Sequence, residues 1–332
     1  MTRKMSEGGA RVISVYRGVE KIPADFGRSV AVIGNFDGVH FGHREILQAV
    51  ASEARELEAR GQRVRAVAIT FDPHPEQYLR PATAPKLLTP MEERIRLLAQ
   101  TDIDAVVVLK FDKALAEVPA KDFVKRILVD ALGVRGLHEG GNFHFGYQAE
   151  AGVEELKEFG AGFGFDVHVH SPVRVHGLEV SSSAIRALVA AGDVRRARWM
   201  LGRPFGVRSK QARGRGIGTR LLVPTVNLAA YEGLLPKFGV YVTRLTIGER
   251  CFQAVTNVGN RPTFGAASFA VESHILDFEP VEMDEATPIG LEFLMRLRGE
   301  MEWPSAEALK EQIFRDVAKA KRYFRLSAAS SF

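Results

Sequence analysis

Residues 29–34 read Ser-Val-Ala-Val-Ile-Gly, with no polar side chain between Ser29 and the closing glycine. A run this short and rich in β-branched residues is a strand buried on both faces. Two more such runs follow, at 65–70 (RAVAIT) and 105–110 (AVVVLK). Strands of this kind belong to a parallel sheet, whose neighbours must be joined by crossovers that cover its faces.

The intervening segments supply those crossovers. Ile46, Val50, Ala54 and Leu57 recur at helical spacing, and Gly61 stands where a helix end takes a left-handed residue. Thr89-Pro90-Met91-Glu92 predicts a helix start, with Thr89 as N-cap, Pro90 at the first position and Glu92 closing a capping box. Residues 120–132 predict a third helix, stopped by Gly133. The alternation at 165–170 predicts a fourth strand, with His168 and His170 on one face as structural residues. Residues 181–191 predict a helix opened by serines and closed by Gly192. This order predicts a doubly wound α/β domain.

The pattern changes after Leu201-Gly202-Arg203-Pro204. Strand-like runs at 240–247, 251–258, 270–277 and 291–298 follow one another across turn residues, without long helices between. That predicts an antiparallel sheet or barrel. An amphipathic helix after Pro304, started by Ser305, carries Leu309, Ile313, Val317 and Ala320 on one face. At 332 residues the chain exceeds one ordinary domain. The expected division is 12–192, a linker at 193–204, and 205–326.

Composition narrows the function classes. Apolar residues at 46% and charged ones at 26% exclude a disordered or fibrous chain. Cys251 is the one cysteine, so neither an intramolecular disulfide nor a cysteine zinc site can form. No apolar run approaches the roughly 20 residues of a membrane helix, and the N-terminus lacks a signal peptide's apolar stretch. A cytoplasmic protein with no membrane partner is expected. The net charge of +5 suits anionic small molecules. With no long Lys/Arg run and no aromatic stacking motif, a nucleic-acid partner is not expected.

Gly34-Asn35-Phe36-Asp37-Gly38-Val39-His40-Phe41-Gly42-His43 lies between the first buried strand and the first helix. Loops at the carboxyl ends of parallel strands are where ligands bind. Gly34, Gly38 and Gly42 allow tight turns and close approach of a ligand, and the helix start offers N–H groups to an anion. His40 and His43 add imidazole donors one helical turn apart. Zinc is the chemical rival, but it needs a third protein ligand that no nearby residue supplies. A nucleotide-phosphate cradle is expected.

His40-Phe41-Gly42-His43 resembles the His-x-Gly-His signature of the HIGH-type nucleotidyltransferases. The wider set of motifs resembles the bacterial bifunctional riboflavin kinase/FAD synthetases. That set comprises 34–47, Thr70-Phe71-Asp72-Pro73-His74-Pro75, Leu88-Thr89-Pro90-Met91-Glu92-Glu93-Arg94, Gly141-Asn142-Phe143-His144-Phe145-Gly146 and Ser181-Ser182-Ser183-Ala184-Ile185-Arg186. The resemblance runs in order from about residue 30 to 325. It implies a Rossmann-like HIGH-type nucleotidyltransferase domain, then an antiparallel β-barrel riboflavin kinase-like domain with a C-terminal helix. It implies that FMN phosphate attacks the α-phosphorus of ATP. His40 and His43 would be catalytic. Gly34, Asn35, Phe36, Asp37, Gly38, Gly42, Ser181, Ser182, Ser183 and Arg186 would hold ATP, and Asp72, His74, Asn142 and Phe143 would hold flavin. His144 departs from the Arg or Lys common in the family.

Pro224-Thr225-Val226-Asn227 resembles the kinase motif Pro-Thr-Ala-Asn, which implies that Thr225 and Asn227 hold the Mg²⁺ of MgATP. Residues 271–278 resemble the strand of the catalytic glutamate, which implies that Glu272 takes the riboflavin 5′-hydroxyl proton. Gly214, Gly216 and Gly218 would approach the nucleotide. Leu221-Leu222-Val223 replaces the usual Leu-Gly-Phe, and the acidic stretch 279–287 lacks the usual Tyr-Gly pair. Two readings follow. One makes FMN and then FAD; the other keeps only FMN adenylylation, with a degenerate kinase domain as a flavin-binding or structural module. Riboflavin, FMN and ATP are the expected small-molecule partners of a monomer or weak homo-oligomer.

Overall fold

The computed structural model describes residues 13–211, 225–260, 269–278, 283 and 287–329. The chain divides into two compact units, Met1–Ser181 and Ser182–Phe332.

The first unit is built on six parallel strands: β1 (Ser14–Arg17), β2 (Arg28–Ile33), β3 (Val64–Asp72), β4 (Ala105–Lys110), β5 (Val134–Gly140) and β6 (Asp166–His170). Their order is β1-β4-β3-β2-β5-β6. Alternate residues enter two separate cores, which explains the continuous apolar runs. Val30, Val32, Ala66, Ala68, Val106 and Val108 face one core; Ala31, Ile33, Val67, Ile69, Ala105 and Val107 face the other. The first core is covered by α1 (Phe41–Ala59) through Leu47, Val50, Ala51 and Ala54. Full burial of Leu47 and of Val50 contributes about 1.5–3 kcal/mol each. Gly61 has φ +80 past the end of α1, the left-handed residue expected there.

Two short helices, α2 (Pro75–Leu79) and α4 (Lys113–Ala116), flank α3 (Met91–Leu98) in the chain. The helix expected over 120–132 starts as α5 (Ala120–Phe123) and continues as a π-helical stretch, Val124–Ala131. It packs on the second face beside α6 (Val153–Phe163), through Val124, Leu128 and Leu156. A small hairpin of β7 (Arg174–Val175) and β8 (Leu178–Glu179) closes the unit.

The second unit begins with α7 (Ser182–Ala191) and α8 (Val194–Leu201). The stretch 193–204, expected as a linker, therefore contains a helix. Asp193 caps it by accepting from the Arg196 N–H at 3.1 Å, and Gly202 ends it at φ +70.

Six antiparallel strands follow: β9 (Phe205–Lys210), β10 (Thr225–Asn227), β11 (Gly239–Ile247), β12 (Arg250–Asn260), β13 (Phe269–Ile275) and β14 (Pro288–Arg298). Their order is β10-β13-β12-β11-β14-β9. The two outer strands meet just past their ends. Gln211 bridges Leu228, and the Ala229 N–H donates to the Lys210 carbonyl at 2.9 Å. This closes the expected barrel and leaves no open edge there.

The chain ends in α9 (Ala306–Ala329), whose Ala308 N–H donates to Ser305 Oγ at 3.2 Å. Its contact face differs from the one expected. Val317, Ala320, Tyr323 and Phe324 pack against Val240, Val242, Val255, Leu276 and Leu294, whereas Ile313 is exposed. Asp316, just before Val317, is buried and accepts from Arg298 Nε at 2.8 Å.

Candidate active sites

From β2 the chain steps to β3 and β4 on one side, then returns to β5 on the other. The carboxyl end of β2 is therefore a topological switch point, the position at which an open α/β sheet leaves a crevice. Residues 34–43 lie there. Gly38 has φ +90, and Phe36 and Val39 hold φ +47 and +39, unusual for side chains of their kind.

One buried carboxylate holds this loop. Asp37 accepts from the Leu88 N–H at 3.0 Å, the Thr89 N–H at 2.8 Å and the Thr89 hydroxyl at 3.1 Å. Thr89 Oγ1 in turn accepts from the Gly38 N–H at 2.9 Å. This corrects the expected capping box: α3 starts from Pro90 without a side-chain cap, because the Thr89 hydroxyl is engaged by the loop. Buried Arg94 braces the same corner, donating to the carbonyls of Phe71 and Thr89 at 3.4 Å each.

His40 is the N-cap of α1, and its Nδ1 accepts from the His43 N–H at 3.3 Å. The two imidazoles stack at 3.6 Å with 14° between planes, and Phe36 meets His43 edge-on at 5.3 Å. Stacked rings do not converge on a common ion, which removes the zinc alternative for this pair. A neutral His40 accepting at Nδ1 carries its proton on Nε2 and can donate it to a phosphate oxygen. The N–H groups of Phe41 and Gly42 have no acceptor within the helix, as in any first turn. A Cβ on Gly42 would come within 3.3 Å of the His40 ring, so glycine keeps the cap undisturbed. Among the described residues, Asn35 Oδ1 is buried without a hydrogen-bond donor.

Sequence reasoning missed the wall of this crevice. Glu139, on β5, is 2% exposed and accepts from the Ile33 N–H at 2.7 Å. Burial pushes its carboxyl well above the ordinary range, against the smaller opposing pull of that N–H. A carboxyl biased by burial toward its protonated form therefore stands between the ends of β2 and β5.

The residues expected to hold flavin lie at the ends of β3 and β5, the two strands that flank β2. Asp72 ends β3. His74 caps α2, its Nδ1 accepting from the Glu76 N–H at 3.2 Å while its own N–H donates to Gln77 Oε1. Asn142 and Phe143 follow β5; Phe143 stacks on Phe145 at 5.3 Å, and the Asn142 carbonyl meets His144 Nδ1 at 3.0 Å. Ser181 ends the first unit. Ser182, Ser183 and Arg186 open the second on α7, with Arg186 Nη1 at 3.5 Å from Ser183 Oγ. The chain reaches Ser181 from Val180, whose carbonyl lies 3.8 Å from where a Gly42 Cβ would be.

In the barrel, register decides what can act together. On β13, Val271, Ser273 and Ile275 are buried, so Glu272 and His274 lie on the opposite face. Glu272 pairs with Asn227 on one side and Asn257 on the other, and Thr225 pairs with His274. Directly paired residues share a face. Thr225, Asn227, Asn257 and Glu272 therefore stand together, and Asn257 is an addition to the expected set. On the hidden face Thr243, Thr256 and Ser273 form a buried hydroxyl ladder, with oxygens 2.7 and 2.8 Å apart. Gly214, Gly216, Gly218, Leu222 and Val223, and most of 279–287, lie outside the described residues.

Two stretches of the chain match known protein families. Residues 22–184 match the family model for FAD synthetase, and residues 201–324 match that for riboflavin kinase. The chain is 35% identical to the bifunctional riboflavin kinase/FMN adenylyltransferase of Pseudomonas fluorescens, over 93% of this chain and 97% of that one. It is 33% identical to the protein of the same name from Escherichia coli K12, over 90% and 93%. A crystal structure described as a macrolide-efflux protein from Streptococcus pneumoniae shares the fold, with a TM-score of 0.82 at 26% identity over 92% of this chain and 98% of that one. Among the described residues, no helix here is long and apolar enough to cross a membrane. With both matching regions in order and near-full-length similarity, this chain belongs to the bifunctional riboflavin kinase/FMN adenylyltransferase family.

Proposed function

We propose that the barrel converts riboflavin and ATP to FMN and ADP, and that the α/β unit converts FMN and ATP to FAD and pyrophosphate. The observation that carries the second reaction is the loop 34–43, held by Asp37 and ending in the stacked His40–His43 pair at the start of α1. An FMN phosphate oxygen attacks the α-phosphorus of ATP, and the bond to the bridging oxygen of pyrophosphate breaks. Such a reaction needs positioning and charge neutralisation more than covalent catalysis. His40 and His43 donate to the phosphates as charge moves onto the leaving group, and the helix dipole favours the same anion. Gly34, Phe36, Asp37, Gly38 and Gly42 shape the loop, and Asn35, whose side-chain oxygen is buried without a donor, belongs to the same ATP-holding segment. Ser181 belongs to the ATP-holding set, and Ser182, Ser183 and Arg186 on α7 offer a helix start and a guanidinium suited to a phosphate; Asp72, His74, Asn142 and Phe143 receive the flavin.

In the barrel the riboflavin 5′-hydroxyl attacks the γ-phosphorus, ADP leaves, and the proton passes to Glu272. Thr225 and Asn227 present a hydroxyl and an amide oxygen on the face of that carboxylate, a donor set that fits Mg²⁺. When bound, the ion neutralises phosphate charge. The riboflavin kinase match over 201–324 favours two activities over a barrel that only holds flavin. Dependence on MgATP supports a cytoplasmic location.

The test is chromatography of flavin products from purified protein with MgATP, starting separately from riboflavin and from FMN. Riboflavin should yield FMN and then FAD. FAD from FMN with no FMN from riboflavin would remove the kinase half of the proposal.

A further inference from the structure

A second polar cluster lies in the α/β unit, away from the phosphate loop. Glu53 sits on α1, 12 residues beyond Phe41 and so about 18 Å along the helix from its start. Its Oε2 lies 2.7 Å from His138 Nε2 on β5 and 3.1 Å from His168 Nε2 on β6. These three donor atoms all fall within 4.8 Å of one another. The strand makes room for the carboxylate, because a Cβ on Gly136 would stand 2.1 Å from Glu53 Oε1.

We propose that Glu53, His138 and His168 form a binding site for a divalent transition-metal ion, Zn²⁺ by its donor chemistry. Two imidazole nitrogens and one carboxylate oxygen are a known three-ligand set for zinc with a further position open to water. Imidazole donors select such ions over Mg²⁺, so the site is chemically distinct from the oxygen donors of the barrel. His138 and Glu53 are largely buried, with side chains 6% and 22% exposed, whereas His168 is 47% exposed. The open position therefore faces solvent on the His168 side.

The surroundings match what a metal-bound histidine requires. Such a histidine hands its second ring N–H to a neighbouring acceptor, which fixes its tautomer and orientation. His138 Nδ1 lies 2.9 Å from His170 Nε2, so His170 is the outer partner and His138 Nε2 is left for the ion. Tetrahedral zinc, with ligand bonds of about 2.0–2.1 Å, holds its donors roughly 3.3 Å apart. Glu53 Oε2, at 2.7 and 3.1 Å from the two nitrogens, lies within about 0.6 Å of that spacing, and the nitrogens, within 4.8 Å of each other, would close to it by at most about 1.5 Å. The ion would then tie α1 to both β5 and β6.

Full-length protein stripped with a chelator should bind one equivalent of Zn²⁺ in competition with a chromophoric chelator. Its dissociation constant should be micromolar or tighter, and Co²⁺ in its place should give ligand-field absorption in the visible. His168→Ala, at a half-exposed position, should weaken binding roughly a hundredfold, and His170→Ala by about tenfold to a hundredfold. Glu53→Gln should also weaken binding, with unchanged circular dichroism certifying the fold. Zn²⁺ binding that His168→Ala leaves unaltered, or that His43→Ala removes instead, would overturn the site. So would the absence of stoichiometric binding to the parent protein, which would leave a hydrogen-bonded cluster alone.

Discussion

Asp37 Oδ1 accepts from both the amide and the hydroxyl of Thr89, at 2.8 and 3.1 Å, across 52 residues of chain. A loop that places Phe36 and Val39 at positive φ is unfavourable in isolation, and this buried carboxylate holds it in shape.

Asp37→Ala should therefore cost stability as well as activity. It strips the acceptor from two buried backbone N–H groups, Leu88 and Thr89, for a loss of about 3 kcal/mol. Urea unfolding of the variant would register it. A loss below about 1 kcal/mol would mean that the loop holds its shape without Asp37.

His40 and His43 should separate cap from chemistry. Either alanine variant should lower FAD formation by roughly 10²–10³-fold while FMN formation from riboflavin persists. Only His40→Ala should also lose about 1 kcal/mol of stability, since only His40 caps α1. Loss of both activities in a folded His43→Ala protein would contradict two separate sites.

Glu139 sets a pH dependence whose sign follows from its burial. Its folded-state pKa lies well above the ordinary 4.5, so the folded chain holds this proton more tightly than the unfolded one. The contribution is complete below about pH 4.5 and is lost as pH rises toward the folded value. Glu139→Gln, always neutral, should gain stability relative to the parent as pH increases. Denaturation midpoints across that interval would test this, and a constant gap would contradict a neutral carboxyl.

Glu272→Gln should reduce FMN formation by about 10²–10⁴-fold, the range of a general base, and leave adenylylation of supplied FMN intact. Paired assays on one preparation would measure both. Retention of kinase turnover would assign the proton to another acceptor.

The strands β2, β3 and β4 are legible in the sequence because each is buried twice over, leaving polar residues only at the ends of the apolar runs. β5 is not legible, since Arg135, His138, Glu139 and its glycines break every strand pattern. Their reasons lie far off in the chain: Glu53 is 85 residues from His138, and Ile33 is 106 from Glu139. Thr89 misleads for the same cause, because Asp37 draws away a hydroxyl that local spacing assigns to a helix cap. His168 and His170 read as structural on their own strand, and only the packing of α1 brings Glu53 to them. The loop 34–43 and the face of Glu272 are legible because their residues are contiguous or set by strand alternation.

The buried ladder of Thr243, Thr256 and Ser273 bears on the opposite side of its sheet. Apolar side chains tolerate sliding, but hydroxyls that must meet oxygen to oxygen accept a single alignment. A slip of β13 by one residue would turn Glu272 inward and Ser273 outward, exchanging the reactive surface for the hidden one. Thr256→Val keeps the bulk and discards the alignment. The concealed side thus works as an indexing pin, and the barrel's chemistry is kept in frame by residues that never meet a substrate.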